Sequence, residues 1–161
     1  NRAARRGVVE ISSAENASLD GFDILVRLHR ARWEDLGEHG VLADPRVQQF
    51  HRKAIPGLMA AGLLRIHWLL IGGCPAAAYY GFHHRDRAYG YLTGFDPVRA
   101  FECPGVILLE HAISEAVREG AHEFHFLRGR EPYKYGWGAR DRVNRRRVFV
   151  RVNADASAAI A

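Results

Sequence analysis

Residues 88–128 limit the fold more than any other stretch. Ala88–Phe95 (AYGYLTGF) is aromatic-rich and has the length of a strand. Gly105–Gly120 (GVILLEHAISEAVREG) carries Val106, Leu109, Ile113, Ala116 and Val117 at helical spacing, which predicts one apolar helix face. Glu110, Ser114, Glu115, Arg118 and Glu119 take the other faces, and Gly120 supplies a stop. His122–Leu127 (HEFHFL) then predicts a second strand with Phe124 and Phe126 on one side. A strand, a crossover helix and a strand in one sheet run parallel and right-handed in nearly all proteins. That geometry puts the helix start and both strand ends on one edge, where open α/β sheets bind ligands.

The helix start carries the chemistry. Pro104 suits the first helical position, because it lacks an N–H that would be orphaned there. Cys103 is then the N-cap, and it has no side-chain oxygen to accept from the first-turn amides. Gly105, Val106, Ile107 and Leu108 offer none either. The N–H groups of residues 105–107 are therefore expected to be free for a bound anion, with water as the alternative cap. Glu102 opposes an anion if its carboxylate points inward.

The length of 161 residues suits a single domain burying about 70% of its unfolded surface. Trp68–Phe82 is the longest uncharged stretch and is too short for a membrane span. No apolar segment follows the basic N-terminus, so no signal peptide is expected. Asn1 opens the sequence and Met59 is its only methionine, which suggests a processed chain or a piece of a longer one. Net charge is +5, and all basic residues except Lys53 and Lys134 are arginine. An Arg-favouring gene explains this most simply; an acidic partner such as a phosphorylated cofactor is the functional reading. Arg145-Arg146-Arg147 precedes an alternating VFVRV and reads as a solvated strand end. Cys74 and Cys103 form no disulfide framework or zinc signature, so a reducing cytoplasm is expected.

In chain order, Val8–Ile11 predicts a short strand and Leu19–Leu36 a helix. Asp44-Pro45 opens a second helix to Ala61, which Pro56 should kink or split. Leu63–Ile71, the turn Gly72-Gly73 and Cys74–His84 form a hairpin, and Arg85-Asp86 turns into the Ala88 strand. Three antiparallel strands thus lead into the strand–helix–strand unit. A Gly-punctuated polar segment follows Leu127, then a last strand over Val148–Val152. Residues 1–7 and 153–161 are expected to be loose ends. The fold class is mixed α/β, a mostly antiparallel sheet with one parallel pair and helices on both faces.

Several motifs together resemble the GNAT-superfamily acyltransferases of the cellulose-biosynthesis CelD type, relatives of the FemAB aminoacyltransferases. They are Phe124-His125-Phe126-Leu127-Arg128-Gly129, Glu131-Pro132-Tyr133-Lys134 and Trp137-Gly138-Ala139-Arg140. Leu28-His29-Arg30-Ala31-Arg32-Trp33, Tyr91-Leu92-Thr93-Gly94-Phe95-Asp96 and Pro104-Gly105 with Leu108-Leu109 add to them. The likeness spans about residues 24–142. It implies a GNAT fold in which acetyl-CoA or another acyl-CoA wedges between two splayed parallel strands. Its pyrophosphate would rest on the helix opening at Gly105. Thr93, Gly94, Phe95, Cys103, Gly105, Val106, Ile107 and Arg128 are the implied cofactor-binding residues. Family members usually carry two such domains, so an N-terminal partner domain, or a homodimer, is implied as well. The sequence departs from the family where Cys103 replaces a Ser and His125 replaces an Asp, and the superfamily phosphate loop is reduced to Gly105.

Acyl transfer from a thioester needs a base for the acceptor, donors for the carbonyl oxygen and an acid for the leaving thiolate. Backbone N–H groups near Thr93–Phe95 are the expected donors. His125 and Glu131 are the candidate bases, Tyr133 the candidate acid, and Lys134 places charge near an anionic ligand. Each also has a plain reading: a structural His, a solvated Glu, a packing Tyr. Trp137 reads as a core residue or as a stacking surface. Metal binding is not expected, because His122 and His125 fall on opposite faces of a strand. Three functions follow. They are an acyl-CoA-dependent N- or O-acyltransferase acting on a small-molecule or saccharide acceptor from the cell envelope or an exopolysaccharide, a tRNA-using FemAB-like aminoacyltransferase, and a non-catalytic half-domain.

Overall fold

The computed structural model describes residues 7–14, 19–143 and 147–148. Two compact units are present, Asn1–Gly129 and Arg130–Ala161. Among its described residues the first contains five strands in one sheet of order β1-β2-β3-β4-β5: β1 Val9–Ser13, β2 Leu64–Ile71, β3 Cys74–His84, β4 Arg87–Phe95 and β5 Glu123–His125. The first four pair antiparallel, and β4 pairs with β5 in parallel. Helices α1 Asp20–Asp35, α2 Pro45–Ala60 and α3 Pro104–Arg118 complete the unit. The expected mixed sheet with helices on both faces is what forms. No helix among the described residues is long and apolar enough to cross a membrane. The strand expected over Val148–Val152 and the loose ends at 1–6 and 153–161 lie outside the described residues, apart from Val148.

Local chemistry accounts for most boundaries. Asp44 caps α2 by accepting from the Arg46 N–H at 2.8 Å, with Pro45 behind it in the first helical position. Gly72 and Gly73 both take positive φ, 58° and 75°, as a tight hairpin turn between strands of right-handed twist demands. The break expected at Pro56 does not occur: α2 runs through it to Ala60. Only one turn of helix follows Pro56, and its residue is exposed, so the lost bond costs little order.

Two cores sandwich the sheet. On one face Phe22, Leu25 and Leu28 of α1 and Ile55 of α2 bury against Leu64, Ile66, Ala78 and Tyr80. On the other, Leu108, Leu109 and Ala112 of α3 bury against Leu69, Ile71, Ala77 and Tyr79. Each fully buried large side chain contributes about 1.5–3 kcal/mol over its exposed state. The inward face of α3 keeps Leu109, Ile113 and Ala116 of the expected stripe but is rotated from it. Val106 and Val117 are 53% and 65% exposed, while Leu108 and Ala112 are buried. The first turn, Gly105-Val106-Ile107-Leu108, is apolar all round, so periodicity alone did not say which of its residues faces in; the sheet took Leu108.

β5 is also shorter than the expected His122–Leu127. It has three residues, and Leu127 ends any extension with a left-handed φ of 55°. A 3-10 segment, Pro97–Glu102, joins β4 to α3 and had no expectation in the sequence. Asp96 caps it by accepting from the Val98 N–H at 3.0 Å.

Candidate active site

The site begins with a wedge between β4 and β5. Arg87, Ala88 and Tyr89 pair with Glu123, Phe124 and His125, and pairing stops there. A bulge in β4 causes the parting. The β3–β4 register shifts between Tyr80 and Gly81, so that Tyr91 is an extra residue in β4 and the strand bends. Gly81 opposite the bulge has no room for a side chain: a Cβ would lie 2.1 Å from the Tyr79 hydroxyl. That hydroxyl donates to the Tyr89 carbonyl at 3.4 Å, beside the last paired residue.

Beyond the bulge, β4 shows a bare edge. The Asp96 N–H donates to the Ala76 carbonyl of β3 at 2.9 Å. Backbone groups along a strand alternate between its two edges, so the N–H groups of Thr93 and Phe95 point away from β3. Among the described residues no strand meets them. Gly94 points its backbone toward β3 and matters for packing instead. A Cβ there would lie 2.5 Å from the His29 nitrogen, so only glycine lets α1 settle on the sheet.

The start of α3 lies next to this edge, and here the expected chemistry needs correction. Cys103 does cap α3 without a side-chain bond, and it takes a left-handed conformation, φ 55° and ψ 43°. Its carbonyl, however, accepts from both Val106 at 3.0 Å and Ile107 at 3.2 Å. Two of the three amides expected to be free are thus taken by the chain itself, Ile107 by the ordinary i→i−4 helix bond and Val106 by a tighter i→i−3 one. Gly105 keeps the remaining free N–H, and the Phe95 ring packs against its Cα, with Cδ1 3.5 Å from where a Cβ would stand. Glu102 is buried, and Arg99 holds it at 3.7 Å. The Cys103 thiol is exposed.

His125 sits at the closed end of the wedge. Its Nε2 lies 2.9 Å from a Glu123 carboxylate oxygen, and its ring stacks on Tyr89 at 5.0 Å. Glu123 also pairs with Arg87 at 3.2 Å. This is an imidazole oriented by a carboxylate, the arrangement of a general base. It is not gathered with Thr93 and Phe95. Thr93 lies four steps along β4 from Tyr89, roughly 13 Å of extended strand.

The remaining expected residues follow β5. Leu127 turns the chain, and Arg128 is exposed. In the second unit a short helix, α4 Pro132–Gly136, carries Tyr133 and Lys134. Lys134 is buried and pairs with Glu131 at 2.8 Å, so the candidate base and the cation expected near an anionic ligand bind each other. Tyr133 is 45% exposed and Trp137 is 37% exposed, so Trp137 is no core residue.

One residue given no role by the sequence stands in the site. Arg32, in the last turn of α1, donates to the Thr93 hydroxyl at 3.4 Å and lies over the Phe95 ring at 4.9 Å. Arg32 lies in the Leu28–Trp33 motif that carries the resemblance, but nothing there gave it a role; the packing of α1 on Gly94 brings it here.

A wedge between parallel strands, a bulged edge with unpaired amides and a helix opening beside it define an acyltransferase-type fold. The chain belongs to the acetyltransferase (GNAT) domain family, whose model matches residues 1–135. No curated protein matches the sequence. Among solved structures, a GCN5-related N-acetyltransferase from Ralstonia eutropha is 19% identical, with a TM-score of 0.64 over 88% of this chain and 99% of its own. A predicted acetyltransferase with acetyl-CoA from Clostridium acetobutylicum is 12% identical, with a TM-score of 0.64 over 92% and 98%. An aminoglycoside acetyltransferase from an uncultured soil metagenomic sample, in complex with sisomicin, is 15% identical, with a TM-score of 0.60 over 89% and 97%. At these identities the likeness is one of fold.

Proposed function

We propose that the protein is an acyl-CoA-dependent N- or O-acyltransferase, with acetyl-CoA or another acyl-CoA as co-substrate. The bare edge of β4 at Thr93 and Phe95 carries this reading. An extended pantetheine arm has amides of its own and would complete the ladder that β5 abandons. The Gly105 N–H at the α3 start would meet the pyrophosphate, helped by the helix dipole. That contribution is smaller than three free amides would supply.

The acceptor nitrogen or oxygen attacks the thioester carbonyl carbon, its proton passes to a base, and the C–S bond breaks. A new C–N or C–O bond and a CoA thiol result. His125, held by Glu123, is assigned the base for an acceptor bound toward the closed end of the wedge, where His125 lies. An edge amide of β4 stabilises the carbonyl oxygen. Glu131 is a weaker candidate base because Lys134 occupies it. Tyr133 is assigned the return of a proton to the thiolate on its chemistry alone.

A polar acceptor, a saccharide or small amine, is the class we favour. It rests on the resemblance of the Phe124–Gly129 and Glu131–Lys134 motifs to the CelD type. The acetyltransferase that resembles this fold with sisomicin bound points to aminated sugars in the same class. No observation favours the tRNA-using or non-catalytic alternatives. Calorimetric titration with acetyl-CoA tests the proposal: micromolar to sub-millimolar binding is expected, and no heat at millimolar ligand removes it.

A further inference from the structure

Four arginines are half-buried among the described residues: Arg32, Arg52, Arg65 and Arg99. Arg52 pairs with Asp23 at 2.5 Å and Arg65 with Glu119 at 2.9 Å. Arg99 lies within 3.8 Å of Asp96 and 3.7 Å of Glu102. Arg32 has no carboxylate among the described residues. Its guanidinium is held only by one long bond to the Thr93 hydroxyl and by the Phe95 ring. A cation drawn partly out of water without a counter-charge costs stability.

Its path shows where a counter-charge would come from. α1 lies on the face of the sheet that Gly94 shares with Ala78. Thr93 pairs with Tyr79 and Phe95 with Ala77, so both side chains point to the opposite face, the one covered by α3. Arg32 starts from one face and touches side chains on the other. The β3 strand closes one edge of β4 along this stretch. The side chain must therefore round the other edge, through the open end of the wedge. There it lies beside the unpaired amides of Thr93 and Phe95, and the ring it covers also packs against Gly105.

We propose that Arg32 is a binding residue for the acyl donor, supplying the counter-charge to a phosphate of acyl-CoA in the β4–β5 wedge. This deepens the acyl-CoA reading and rests on it. The pantetheine arm is neutral; every negative charge of the donor is on its phosphates. A guanidinium bonds phosphate oxygens in pairs, and its planar fork suits them better than an ammonium does. Before the ligand arrives, the Phe95 ring holds the cation in place.

Two ligands separate this role from a structural one. CoA and pantetheine share the neutral arm, and only CoA carries phosphate. Both are titrated into the whole chain, unaltered and as Arg32→Gln and Arg32→Lys. Arg32→Gln is expected to weaken CoA by about 10- to 100-fold, the loss of one charge-assisted bond, and to leave pantetheine unchanged. Arg32→Lys is expected to recover part of the loss, and added salt to narrow the gap. Equal CoA affinity in the Gln variant, or a parallel loss for both ligands, overturns the assignment. So does an effect confined to the acceptor KM. If the Gln variant fails to fold, Arg32→Lys with its charge retained still decides: it must bind CoA more weakly than the unaltered chain and pantetheine equally well. Absence of CoA binding by the unaltered chain removes the acyl-CoA reading itself, whereas CoA binding indifferent to Arg32 removes only this inference.

Discussion

Gly94 shows how one residue ties the fold to the site. It lies in β4 between Thr93 and Phe95, and the backbone of α1 rests on it, with the Leu28 carbonyl carbon 2.8 Å from where a Cβ would stand. Both near atoms are main chain, so they cannot step aside as a flexible side chain would. Gly94→Ala is expected to cost about 1–3 kcal/mol, since overpacking forces backbone shifts. Thermal melting reads the loss directly; an unchanged melting temperature would show that α1 is not seated as described. The same substitution pushes Arg32 away from the wedge, so packing and binding fail together. Cys103 offers a second residue-scale test. Its thiol and that of Cys74 are both exposed, but only Cys103 sits at the start of α3. Acetyl-CoA is expected to slow alkylation of Cys103 and leave Cys74, at the head of β3, untouched; mass spectrometry of labelled peptides distinguishes the two.

At the scale of elements, buried histidines tie the helices to the sheet. His29 of α1 is buried beside Trp33, with its Nδ1 unpaired. Burial, with Arg32 nearby, pulls its pKa down to about 4. His67 of β2 accepts or donates at 2.7 Å with the Ser13 hydroxyl of β1 and meets the His111 ring of α3. Burial lowers it to about 4 as well, with His111 and Arg65 acting in the same direction and Glu115 and Glu119 opposing. Both folded-state values lie below the ordinary 6.5, so the unfolded chain takes up protons first. Stability is full above about pH 6.5, falls as pH drops from there toward about 4, and levels off below. By about pH 5 each histidine is expected to cost roughly 2 kcal/mol. Denaturant titrations at about pH 7 and about pH 5 check this, and His67→Gln should flatten part of the slope. The Arg65–Glu119 pair, with His83 at 2.8 Å from the same carboxylate, anchors the far end of α3 and is buried enough to resist salt.

The first unit is built on a sheet whose last two strands part, and a ligand that fills the gap should stabilise it. Acetyl-CoA at about a hundred times its Kd is expected to add about 2.7 kcal/mol, seen as a rise of several degrees in melting temperature. No rise under those conditions would contradict binding to the folded state. Much of this architecture was legible in the chain. The hairpin at Gly72-Gly73, the cap at Asp44-Pro45, the helix after Pro104 and the parallel pair around it all follow from local pattern. These depend on spacings of about two to four residues, which a sequence displays openly. The fate of the Val106 amide was not legible, because a short i→i−3 bond in the first turn leaves no mark in the residue pattern, whereas the Ile107 bond follows from a helix that opens at Pro104. The burial of Lys134 was not legible either, although its i,i+3 spacing from Glu131 already allowed the pair.

By itself, then, the sequence determined most of the strands and helices and their order, because hydrophobic period and turn chemistry are local. Only the tertiary structure decided how far β5 follows β4, which face α3 buries and that Arg32 reaches round the open edge to Thr93. Those outcomes depend on contacts between residues dozens of positions apart, where a bulge at Tyr91 and the absence of a side chain at Gly94 set the geometry.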